Sequence, residues 1–251
     1  MEISGKEFKQ KYPNTVFYKL TNYYEYENGF TFKDGLNVYK PAFNPFNIFG
    51  YSSDYGFYFG DINSIGNGLY TVCFYGCEDP WECPDYHTEI VYIREVEIPD
   101  DSLIIDKGGS FFRANKLILK EKMLIQNFHL WNDLEFCKTA TKQSCLALKF
   151  ARVQTEDMCE DVVRRDGMML RYVFNKTEKI CKLAIEENWR ASEYIKRPSK
   201  DVSDLVIKNK NIEDARLAQF KLEMSNDIIC IVIPSIVVLC VLDIVWRYYC
   251  R

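Results

Sequence analysis

The sequence predicts an α+β protein: a small β-rich N-terminal domain, a short α-solenoid of helix-hairpin repeats and a C-terminal hydrophobic helix long enough to span a membrane. Three observations lead there. From Asn14 to Lys122 the local period is near two and turn residues are dense, between Phe128 and Lys210 the chain repeats itself every 22 residues, and from Ile228 to Trp246 it is almost wholly apolar. These observations place the β-rich domain at 1–122 with an insertion at 66–88, the helical repeats at 123–226 and the hydrophobic segment at 227–251.

In the first region, Thr15–Leu20, Tyr55–Phe59, Glu89–Glu97 and Ser102–Ile105 read as short strands. Asn28-Gly29, Asp34-Gly35, Pro99-Asp100-Asp101 and Gly108-Gly109 separate them as turns. Met1 to Tyr12 reads as a short leading helix.

In the second region, Cys145–Phe150 falls over Gly167–Tyr172, and Thr155, Met158, Cys159, Val162 and Val163 fall over Thr177, Ile180, Cys181, Ala184 and Ile185. Ala191, Tyr194, Ser199, Val202, Ser203, Val206 and Ile207 hold the same places, and Phe128, Phe136, Cys137 and Ala140 form a weaker upstream copy. Thr155, Thr177 and Ser199 stand where an N-cap hydroxyl accepts an orphan backbone N–H, and Glu156, Asp157 and Glu178 set negative charge against the positive helix end. Met158, Val162 and Val163, like Ile180, Ala184 and Ile185, make an inward stripe. Asp166, Gly167 or Asn188 supplies a break. A second short helix then carries Ala147, Phe150 and Ala151, next Met169, Tyr172 and Val173, and last Ala191, Tyr194 and Ile195. Such units bury their apolar faces only against neighbours and serve as binding surfaces.

In the third region, thirteen of the 19 residues from Ile228 to Trp246 are Ile, Val or Leu. A helix there reaches roughly 28 Å, close to the roughly 30 Å of a bilayer's hydrocarbon. Its apolar residues contribute about −4 to −8 kcal/mol to insertion, against about +3 for Asp243 at the centre and less near the end where it lies. Trp246, Tyr248, Tyr249, Arg247 and Arg251 form an interfacial belt, and Lys208, Lys210, Arg216 and Lys221 ahead of the span favour a cytosolic N-terminal body. The repeat phase also carries Val206 and Ile207 onto Ile228 and Ile229, so a closing helix of the solenoid fits the same residues.

Composition narrows the function classes. A hydrophobic fraction of 47% with 27% charged residues is ordinary globular balance, and a formal charge of −4 without a dense basic run argues against nucleic acid as a partner. Ten cysteines raise the question of a disulfide framework, but the N-terminus lacks the apolar stretch of a signal peptide. Cys137, Cys159 and Cys181 share one repeat position, which Ser203 fills in the next copy, as small buried fillers in a reducing compartment do.

Tyr18–Asn22, Gly29–Asn37, Phe43–Pro45, Gly56–Phe59 with Asp61, Ile98–Asp101 and Phe112–Lys116 resemble, in order and spacing, a head domain of giant viruses of the mimivirus kind that precedes ankyrin or other repeats. Leu146–Cys159 is similar to a repeated element of the same viruses. The resemblance implies a virus-encoded, non-enzymatic protein. The repeats add the expectation of a protein partner, and the hydrophobic span that of a place in a membrane of the infected host cell or virion, with the host cytoplasm as the location otherwise.

Chemistry-bearing residues are few. Cys73, Cys77, Cys83 and His87 offer four soft ligands within fifteen residues, and zinc takes Cys3His tetrahedrally. C-x5-C-x3-H matches a class of RNA-binding zinc finger, but the first gap is too short for it and Glu78, Asp79, Glu82 and Asp85 line the loop. A structural zinc, free thiols and a Cys77–Cys83 disulfide all remain open. Gly56–Asp61 with the strand Glu89–Glu97 resembles the core of ADP-ribosyltransferases, which implies, as the alternative function, a zinc-stabilised or degenerate ligand-binding domain fused to repeats. Packed strand positions for Phe57 and Phe59 explain the same residues. With two histidines, His87 and His129, material for a Ser/His/Asp or Cys/His arrangement is scarce, and His129 falls at a helix-surface repeat position. No catalytic residue and no bound organic cofactor is expected.

Overall fold

The computed structural model describes residues 2–27, 30–39, 56–71, 90–106 and 109–221. It is a mixed α/β structure in which a β-sheet carries several helices. The strands are β1 (Glu2–Ser4), β2 (Phe17–Asn22), β3 (Tyr26–Glu27), β4 (Phe30–Thr31), β5 (Gly35–Val38), β6 (Phe57–Asp61), β7 (Ile90–Glu97), β8 (Leu103–Asp106), β9 (Phe111–Ala114), β10 (Lys116–Leu119) and β11 (Met123–Leu124). The main sheet runs β1-β8-β9-β6-β2-β7-β10-β5, with β11 also on β7, and β3-β4 is a separate hairpin. Every pairing is antiparallel.

A single residue, Asn115, separates β9 from β10, yet β6, β2 and β7 lie between them in the sheet. One bent strand therefore borders the same three strands on both sides, and the sheet curls round on itself. Period-two alternation then sorts side chains to two faces. Phe17, Phe57, Phe59, Val96, Phe112, Leu117 and Leu119 fill one face, closed by Phe8 of α1 (Gly5–Lys11). Phe8 packs its ring within 4.9 Å of those of Phe17 and Phe112.

The leading helix is shorter than the sequence suggests. Residues Glu2–Ser4 pair with β8, and Ser4 then caps α1: its hydroxyl accepts from Glu7 N at 3.2 Å while the Glu7 carboxylate accepts from Ser4 N at 2.8 Å. The Ser4 N–H, and the Ser4 hydroxyl that donates to the same carboxylate at 2.7 Å, hold the Glu7 carboxyl below the usual carboxylate range.

Inside the aromatic face sits a charged cluster. Lys19 and Arg94 are register partners on β2 and β7, both buried and directed to the same side. Like charges directly opposite repel, so the arrangement needs carboxylates. Glu27 meets Lys19 Nζ at 2.5 Å, Glu25 meets Arg94 Nη1 at 2.9 Å, and Asp34 also pairs with Arg94. Glu25, Glu27 and Asp34 all lie in or beside the β3-β4 hairpin, which the cluster ties over the sheet.

The other face of the sheet meets the helices. Residues 65–71, at the start of the predicted insertion, form α2 (Ile65–Thr71), whose Ile65 and Leu69 are buried with Ile90 and Ile93 of β7. At Gly66 an added Cβ would lie 2.7 Å from Ala140 O, so only glycine permits this approach of α2 to the next helix. Downstream come α3 (Leu134–Gln143), α4 (Glu156–Arg165), α5 (Glu178–Glu187) and a helix α6 that occupies 200–221, to the last described residue. These helices begin 22 residues apart. The second element of each unit is not an α-helix but a 3-10 segment, at Cys145–Lys149, Gly167–Tyr172 and Trp189–Tyr194. Five or six residues gain too few α-type bonds to offset nucleation, whereas a three-residue pitch still buries Ala147, Met169 and Ala191.

Among the described residues no helix is long and apolar enough to cross a membrane. The predicted hydrophobic segment 227–251, most of the insertion 66–88 and the ligand set Cys73, Cys77, Cys83 and His87 lie outside the described residues.

Candidate interaction surface

Four capping side chains set the helical units in phase. Asp133 accepts from Phe136 N at 2.7 Å, Thr155 from Met158 N at 3.3 Å, Thr177 from Ile180 N at 3.4 Å and Ser199 from Val202 N at 3.3 Å. Asp166 and Asn188 end α4 and α5 through their backbone N–H groups and start the 3-10 segments through their side chains. The breaks thus satisfy both helix ends at once. Met158, Val162, Val163, Ile180, Ala184 and Ile185 are buried as the inward stripe requires.

Cys137, Cys159 and Cys181 are buried in this stripe. Burial, with a smaller contribution from Glu156, pushes the Cys159 thiol up to about 11, and burial raises Cys137 and Cys181 as well. A raised thiol pKa means that the fold binds the proton more tightly than the unfolded chain. The stabilisation is complete below the ordinary value of 9.0 and is lost as pH climbs toward 11. Two results are expected: alkylation of Cys159 by N-ethylmaleimide at pH 8 at least about a hundredfold slower in the native than in the urea-unfolded chain, and a melting temperature that falls between pH 9 and pH 11. Equal alkylation rates would show the thiol to be accessible.

The loops that lead from each 3-10 segment into the next helix lie on one edge. At the junction of α4 with α5 they are clamped. Gln154 donates from Nε2 to Tyr172 O at 2.9 Å and accepts from Phe174 N at 3.1 Å, while Thr177 Oγ1 donates to Glu156 Oε1 at 3.2 Å. One junction later Lys176 stands in Gln154's place and donates to Val173 O at 2.8 Å within its own loop. There a groove of about 430 Å³ lies between the loops, with Phe174, Lys176, Tyr194, Lys196, Arg197 and Val202 in its walls. Phe174 is 69% exposed.

At the far end, Glu213 of α6 receives both terminal nitrogens of Arg190, at 3.0 and 2.9 Å, and the Trp189 indole N–H. These contacts, Arg190 first, hold the Glu213 carboxyl below its usual range. They latch α6 to the last 3-10 segment, while Ile207, Leu217 and Phe220 stay exposed.

His129 is exposed in a 3-10 turn, its ring edge-on to Phe128 with centroids 5.0 Å apart. Asp100 and Asp101 lie in a turn and pair with Lys9 and Lys116. In Gly56–Asp61, Phe57 and Phe59 point into the aromatic core and Tyr58 points out. Among the described residues no group of three or more His, Cys, Asp or Glu is placed to hold a metal ion.

Over 126 residues the chain is 28% identical to an uncharacterized protein of Acanthamoeba polyphaga mimivirus, a match that covers 49% of this chain and 77% of that protein. It supports a giant-virus origin. No protein family matches the chain, and no solved structure does.

The residues that sequence reasoning passed over are Gln154 and Lys176. Their signal was present: the unit Gln-Thr-Glu at 154–156 becomes Lys-Thr-Glu at 176–178. Its meaning depends on what the side chain reaches across the junction, which periodicity does not disclose.

Proposed function

We propose that the chain is a non-enzymatic, virus-encoded scaffold for protein–protein interaction: a β-rich head, a short α-solenoid and a C-terminal membrane anchor at 227–251. The observation that carries this reading is the extent of one hydrophobic core. It runs from Ile90 and Ile93 in the sheet through Trp131, Val162, Leu170 and Ile185 to Val202, so each helical unit is ordered by its neighbours and offers its loop edge outward. The N-terminal body faces the cytosol, and the membrane is one of the infected host cell or the virion. The competing ADP-ribosyltransferase-like reading draws on Gly56–Asp61, where packing accounts for both phenylalanines.

Alkaline carbonate extraction of membranes from cells expressing the full chain, beside a version ending at Asn226, tests the anchor. The full chain is expected in the pellet and the shortened one in the supernatant. Equal release of both rejects the anchor and leaves the closing-helix reading of Ile228–Trp246.

A further inference from the structure

We infer that the groove between residues 173–177 and 194–199 binds an extended acidic peptide segment of the partner, an assignment that rests on the scaffold reading above. The comparison of two successive junctions leads to it. At the first, the Gln154 amide closes the gap because a primary amide carries one acceptor and two donors, and it satisfies Phe174 N–H and Tyr172 C=O together. At the second, an ammonium has donors only. Lys176 can satisfy no N–H, and it turns back to Val173 O. The companion contact changes too: Glu156 accepts from Thr177, but its counterpart Glu178 pairs with Lys182 at 2.7 Å on its own helix.

Two backbone groups are thereby left at the groove. Lys196 N–H and Tyr194 C=O occupy the places that Phe174 N–H and Tyr172 C=O hold one unit earlier, and no hydrogen bond from another described residue reaches either. A peptide group offers one N–H donor and one C=O acceptor, so an extended chain can fill this pair as the Gln154 amide does upstream.

Charge selects the chain. Lys176, Lys196 and Arg197 face the groove, Lys196 and Arg197 form no ion pair among the described residues, and the acid present, Glu178, is already paired. This local excess of positive charge stands in a chain of net charge −4. Phe174, Tyr194 and Val202 give the same groove apolar walls, which suit a peptide with apolar side chains better than a bare phosphate.

Fluorescence anisotropy with the full chain in detergent micelles tests the assignment, using a fluorescein-labelled twelve-residue peptide of alternating Glu and Leu beside its Lys and Leu counterpart. The acidic peptide is expected to bind, more weakly as salt is raised. Binding should fall about tenfold or more in the Lys196→Glu/Arg197→Glu double variant. Lys176→Gln, which rebuilds the upstream clamp, is expected to weaken the peptide comparably while raising the melting temperature. A folded double variant with wild-type circular dichroism that still binds the acidic peptide as wild type does would overturn the proposal. So would equal binding of both peptides, or displacement by inorganic phosphate as effective as by unlabelled peptide. A defined partner captured equally by wild type and double variant refutes the groove alone; a wild-type chain that engages no protein refutes the scaffold reading beneath it.

Discussion

Arg94→Met is expected to lower the free energy of unfolding by about 3–5 kcal/mol, the cost of stripping one partner from a buried ion pair. The Arg94 side chain is 1% exposed and donates from Nε and Nη2 to Lys120 O at 2.9 and 2.7 Å, as well as to Glu25 and Asp34. Methionine fills much of the volume and supplies none of these donors. Glu25 then stays buried with Lys122, at 3.7 Å, as its remaining cation. Against a typical domain stability of about 5–15 kcal/mol this is a large fraction. Urea unfolding followed by circular dichroism measures it. The Arg94→Met/Glu25→Gln pair should recover part of the loss, because the stranded charge is gone. A single variant within about 1 kcal/mol of wild type would mean that water, rather than Arg94, solvates Glu25.

Trp131→Ala is expected to cost about 3–5 kcal/mol as well, by a different mechanism. Trp131 is fully buried where the strand β11 gives way to the first helical unit. Its ring stacks on Phe150 at 5.4 Å and meets Phe136 edge-on at 5.0 Å, its indole N–H donates to Ile125 O at 2.8 Å, and its carbonyl accepts from Arg152 N at 2.9 Å. Alanine leaves a cavity lined by two aromatic rings and an orphan carbonyl at Ile125. Trp131→Phe keeps most of the contact and loses the hydrogen bond, so it should cost about 1–3 kcal/mol less than alanine. The order alanine, phenylalanine, wild type in melting temperature is the expected result. An alanine variant that melts with wild type would show that sheet and helices do not share a core at this point.

Much of the helical body was legible because its determinants are local. A cap hydroxyl acts on an N–H three residues away, and an apolar stripe is written at spacings of three and four, so Thr155, Thr177 and Ser199 announced their helices. The 3-10 character of the second elements was not legible, since i, i+3, i+4 spacing serves either helix and segment length decides. In the β-sheet region, the strands 17–22, 57–61, 90–97 and 103–106 were read within two residues at each end. The short strands β1, β3, β4 and β11 were missed, and so were β5, β9 and β10. Arg113 and Lys116 interrupt the apolar pattern of β9 and β10, and Asn115 bends what is nearly one strand so that each half finds different neighbours.

Taken alone, the amino-acid order determined the 22-residue phase, the capping residues, the buried thiols and the apolar character of 228–246, because each rests on interactions within one turn or one unit. Only the tertiary structure decided that Lys19 and Arg94 lie buried side by side, that the sheet curls round on itself, that α2 packs into the helical core, and that Gln154 closes one junction while Lys176 leaves the next open. Each of these depends on which distant backbone or carboxylate a side chain meets, and that is set by packing rather than by spacing.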